Sequence, residues 1–86
     1  MQENVKNFAM GSYGVFENGE FITTNSSFDE LIRRATHIAS LKDGNKCTIA
    51  TLKFTGMDAE TVVKEGTIIM SITNVKDTIY IVNLLP

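Results

Sequence analysis

The sequence predicts an α+β domain: a mainly antiparallel sheet with one main helix packed on a face, in the order ββαβαββ. Three observations carry that reading. One segment, SFDELIRRATHIAS at 27–40, has both a helix start signal and a helical apolar stripe. Runs rich in β-branched and aromatic residues lie on both sides of it, and a helix interrupting runs of strands is the mark of the α+β class. The chain has 86 residues, which fits one domain over 1–86.

In the N-terminal segment FAMGSYGVFENGEFITT, apolar and aromatic residues flank Asn18-Gly19. That pair readily takes the two positive φ values of a tight hairpin turn, so strands are expected at roughly 11–16 and 20–24. Gly11 and Gly14 weaken the first arm and point to a bulge or a close backbone approach there. Ser27-Phe28-Asp29-Glu30 then matches the S-x-x-E pattern. In it the serine hydroxyl caps the amide three residues on and the glutamate reaches back.

Phe28, Leu31, Ile32, Ala35, Ile38 and Ala39 follow at helical spacing and form one apolar stripe. Asp29 with Arg33 and Glu30 with Arg34 are i,i+4 pairs with the acid on the favourable N-terminal side. The helix is expected to end near Lys42, with Gly44 as a left-handed stop. KCTIATLKF at 46–54 reads as a strand. Asp58 as a cap and Gly66 as a stop suggest a short second helix at 59–65, although Val62 and Val63 also suit an extended chain. The closing TIIMSITN and TIYIVNLL flank Val75-Lys76-Asp77 as a second hairpin. Both runs are apolar on both alternations, more than a sheet with one solvated face needs. A second subunit is the cheapest cover for that surplus.

Composition narrows the function classes. With 43% hydrophobic and 21% charged residues, the chain is well away from the composition of disorder. No apolar run reaches the length of a membrane helix, and the opening MQENVKNFAM lacks the basic start and apolar centre of a secretory signal. A cytoplasmic location is therefore expected, the host cytoplasm if the chain is viral, with no membrane partner. The single cysteine, Cys47, cannot form an internal disulfide, which agrees with a reducing compartment. A homodimer or higher oligomer is the simplest substitute for that brace in so small a domain.

Catalytic and cofactor patterns are lacking. There is no second His or Cys to give metal-ligand spacing, and the six glycines never form a phosphate-binding loop. No cofactor is expected. Cys47 and His37 make a nucleophile and base arithmetically available, but Cys47 opens a strand and is more simply a small core residue. Glu17 and Glu20 straddle a turn, where carboxylates are usually just solvated. Met10, Met57 and Met70 could adapt to a partner's surface or, more commonly in a small domain, fill gaps in the core. An enzyme is not the expectation.

Charge is unevenly spread. The net charge is -2, a weak argument against a general nucleic-acid binder. Residues 31–54 nevertheless sum to +4, against -4 before them and -2 after. Arg33 and His37 lie on the outward side of the helix with Arg34 on a flank, and Lys42 and Lys46 extend the basic run. These five are the candidate partner-binding residues, for an acidic protein partner first and for RNA as the alternative. The plainer reading makes them a solvated helix face paired with Asp29 and Glu30.

From YGVFENGEF through SSFDELIRRATHIA, roughly residues 12–54, the chain resembles the short hairpin-helix-strand modules common among small accessory proteins of bacteriophages. These include early proteins that bind and block a host enzyme, a toxin or a defence nuclease. The resemblance lies in shape and size, so no family residues carry over. It implies a non-enzymatic inhibitor or adaptor that acts by occupying a host protein's surface.

Overall fold

The computed structural model describes residues 13–25, 27–55 and 62–84. Its elements are β1 (Tyr13–Glu17), β2 (Glu20–Asn25), α1 (Phe28–Ser40), β3 (Lys46–Thr55), β4 (Val62–Val75) and β5 (Thr78–Asn83). The strands form one antiparallel sheet in the order β2-β1-β3-β4-β5. The α+β class and the main helix packed on a face of the sheet are as the sequence predicts, whereas the element order among the described residues is ββαβββ.

The local signals act as expected. Asn18 and Gly19 take φ of 52° and 88° and turn β1 into β2, the geometry that Gly adopts without a Cβ penalty. Ser27 is the N-cap of α1, and its hydroxyl accepts from the Glu30 N–H at 3.3 Å. The reciprocal half of the capping box is replaced, because the Glu30 carboxylate turns instead to Arg33 and Arg34. The helix ends at Ser40 with Leu41 as its C-cap, and Gly44 takes a φ of 88° just beyond.

The short helix expected at 59–65 is corrected where the residues are described. Val62–Glu65 belong to β4, with Val62 opposite Thr55, Val63 opposite Phe54 and Glu65 opposite Leu52. An isolated two-turn helix is marginal in water, whereas the same valines gain cross-strand neighbours in the sheet. Residues 59–61 lie outside the described residues, as do Gly11, Met10 and Met57.

Two apolar layers result. Under α1, Val15, Cys47, Ile49, Met70 and Ile72 pack against Leu31, Ala35 and Ala39, with Tyr13, Phe28, Ile32, Ile38 and Ile79 around them. On the opposite face, Phe16, Ala50 and Leu52 cluster with Phe21, Phe54, Val63 and Ile68. The second layer forms because the β3-β4 hairpin curls. Its ladder is irregular between Ile49 and Leu52, as at a bulge, which bends a strand. Beyond that point β4 reaches β2, although β1 and β3 lie between them in the sheet.

The close approach requires Gly14, since a Cβ there would sit 2.7 Å from Leu52 Cδ2. The expected effect of a glycine in the first arm is thus a close approach, and the ladder irregularity falls one residue later, between Val15 and Phe16. The chain itself covers part of the face for which a second subunit was the expected cover.

Asn74 joins the helix to the last hairpin. It is 1% exposed, and its side-chain amide donates to the carbonyls of Ala39 (2.9 Å) and Lys42 (3.1 Å) while its Oδ1 accepts from the Asp77 N–H (2.9 Å). Carbonyls at the C-terminal end of a helix lack intrahelical partners, so a residue from β4 completes the end of α1.

Candidate partner-binding groove

Ile22 is the extra residue of a bulge. Val15 pairs with Thr23 and Phe16 with Phe21, which leaves Ile22 with no opposite number on β1. Released from the ladder, Ile22 faces the helix across an open groove of about 360 Å³. The groove is lined by Ile22 and Thr23 from β2 and by Glu30, Arg33, Arg34, His37 and Ile38 from α1. Ile22 and Ile38 supply apolar surface, and the two guanidinium groups and the imidazole supply donors.

The guanidinium groups are held in place. Glu30 accepts from Arg33 Nη1 at 3.1 Å and from Arg34 Nε at 3.3 Å. Arg34 therefore forms its expected i,i+4 pair, while Arg33 bonds Glu30 at i,i+3 and not Asp29. The arginine side chains are 75% and 56% exposed, so these pairs add little stability. Their effect is on orientation. Each arginine commits one donor group to Glu30, and a guanidinium has five N–H donors in a fixed fork.

Three of the five sequence-predicted site residues, Arg33, Arg34 and His37, share this groove. Lys42 does not join them. It lines a separate open pocket of about 610 Å³ with Glu17, Asn18, Gly19, Glu20 and Asn45, at the β1-β2 turn. Lys46 is exposed at the start of β3 and lines neither pocket, and its carbonyl accepts from the Asn18 N–H at 3.0 Å. The basic run of the sequence is thus divided in space, its lysines lying toward the acidic β1-β2 turn.

Sequence reasoning missed Ile22 and Thr23, the opposite wall. The signal was the adjacent apolar pair Phe21-Ile22, which a regular strand cannot place on one face.

Cys47 and His37 are not a matched pair. Cys47 is fully buried beneath α1, and burial first, with the Glu17 carboxylate second, raises its thiol from 9.0 to about 11. It stays protonated at neutral pH, and the thiolate is the reactive form. His37 is exposed on the rim of the groove. Among the described residues no group of three His, Cys, Asp or Glu side chains could hold a metal ion, and no helix is long and apolar enough to cross a membrane.

No protein-family model matches the chain, and comparison with curated proteins and with solved structures gave no match.

Proposed function

We propose that this chain is a non-enzymatic protein-binding module of the inhibitor or adaptor kind, acting in the cytoplasm on a host protein. The groove between β2 and α1 takes an acidic segment that carries an apolar side chain. One observation supports this reading: the groove pairs apolar surface from Ile22 and Ile38 with donors from Arg33, Arg34 and His37 on one rim. An apolar side chain fills the floor, and a neighbouring carboxylate meets guanidinium groups already oriented by Glu30.

The RNA-binding reading uses the same arginines, and no feature of the groove favours it. None of the lining residues is aromatic, so bases would find no stacking platform there.

The test is affinity capture from a bacterial lysate with three baits, each verified as folded. Wild type and a Lys42→Glu/Lys46→Glu variant should recover the same protein, and an Arg33→Glu/Arg34→Glu variant should lose it. Capture of the same protein by the arginine variant, or by none of the three, would overturn the reading. Recovery of nucleic acid that high salt removes would replace it with RNA binding, since phosphate contacts weaken steeply with salt.

A further inference from the structure

We infer that the outer edge of β5 is an interface between two copies of this chain, joining their sheets antiparallel into one continuous ten-stranded sheet. The inference rests on β5 alone and is independent of the groove. β5 ends the sheet and pairs only with β4, in a regular register from Val75–Thr78 to Met70–Asn83. The Leu84 N–H donates inward to the Ile69 carbonyl at 2.9 Å. Main-chain direction alternates along a strand, so the N–H and C=O groups of Ile79 and Ile81 point outward from the sheet edge.

Such groups are a ready template for another strand, and the side chains favour a copy of the same one. Ile81, paired with Ile72, lies on the helix side, and Tyr80 and Val82, paired with Thr73 and Ser71, lie on the other. All three are about half exposed, at 51%, 54% and 51%. A two-fold axis at Ile81 sets Ile81 against its own copy on one face. On the other face it sets Tyr80 against the partner's Val82, twice. Aromatic and β-branched residues are favourable cross-strand neighbours.

From Thr78 to Pro86 the sequence carries no charge, so the antiparallel match opposes no like charges. Most edge strands are protected by charge, proline or a bulge, and β5 has none of these. A two-fold contact of a strand with itself also closes after two copies and leaves no further edge for growth at that site.

Light scattering on size-exclusion fractions across the micromolar range tests this directly. The wild-type mass should rise toward twice the 9.5 kDa of the chain and should not respond to salt. Ile81→Lys should raise the dissociation constant at least tenfold, while Glu20→Lys on the opposite edge leaves it unchanged. Ile81→Cys, oxidised without denaturant, should form an interchain disulfide, because buried Cys47 does not compete. A monomeric wild type at all concentrations, a folded Ile81→Lys that still dimerises, or an Ile81→Cys that does not cross-link would each overturn the inference.

Discussion

The two edges of the sheet are built in opposite ways. β2 is interrupted by the Ile22 bulge, begins with Glu20 and continues into three polar residues, Thr23, Thr24 and Asn25. Its side chains also bond locally, Thr24 Oγ1 donating to the Tyr13 carbonyl at 2.6 Å and Asn25 Oδ1 accepting from the Ser27 N–H at 2.8 Å. β5 is regular, uncharged and apolar on both faces. The cover differs in the same direction. α1 and the curled β3-β4 hairpin enclose the β1-β3 side of the sheet, while Tyr80, Ile81, Val82 and Leu84 stay about half exposed. One side of the molecule completes its own burial, and the other leaves apolar side chains exposed on both faces of its edge strand.

The turns repeat the contrast. Asn18-Gly19 is a local solution, whereas Lys76 and Asp77 hold φ of 50° and 66° without a glycine. For ordinary L-residues that region costs roughly 1–2 kcal/mol each. The second turn is held by side-chain acceptors instead, the Lys76 N–H donating to the distant Asp43 Oδ1 and the Asp77 N–H to Asn74 Oδ1 three residues before it.

The contrast is most sharply tested by truncating one large side chain on each side. Phe16→Ala, at a fully buried position, should cost about 3–5 kcal/mol of unfolding free energy. Val82→Ala, measured at a concentration low enough to keep the chain monomeric, should stay within about 0.5 kcal/mol of wild type. Comparable losses in urea titration would mean that β5 is as well covered as β1.

Asn74→Ala removes the link between the halves. It leaves the Ala39 and Lys42 carbonyls and the Asp77 N–H without their side-chain partner, and should cost about 2–3 kcal/mol.

Cys47 gives a comparable effect with a defined pH window. Its folded-state pKa of about 11 lies above the unfolded value near 9.0, so the folded chain binds this proton more tightly. The associated stability is fully present below pH 9 and is lost as pH rises through 11. The loss should be about 3 kcal/mol and should be missing from the difference curve of Cys47→Ala.

Asp77→Gly should add about 0.5–1 kcal/mol by relieving the positive φ. The equivalent position in the first hairpin is already Gly19 and has no such gain to offer.

What the sequence made legible was local. The Ser27 cap, the stripe from Phe28 to Ala39, the Asn18-Gly19 turn and the burial of Cys47 all depend on neighbours a few residues apart or on residue type alone. The features it hid depend on distant pairing. Val62 and Val63 are strand residues because Thr55 and Phe54 lie opposite them. Asn74 matters because the end of α1, 35 residues away at Ala39, needs donors. The candidate site divides in the same way. Arg33, Arg34 and His37 meet because they share a helix face, while Lys42 and Lys46 follow the chain toward the β1-β2 turn.

The most direct test of the account is amide hydrogen exchange at Ile79 and Ile81 as a function of protein concentration. If the β5 edge is completed by a second copy, both amides should slow markedly on concentration while the amides of β2 keep their rates. Fast exchange at Ile79 and Ile81 that is independent of concentration would contradict the account and leave β5 a solvated edge.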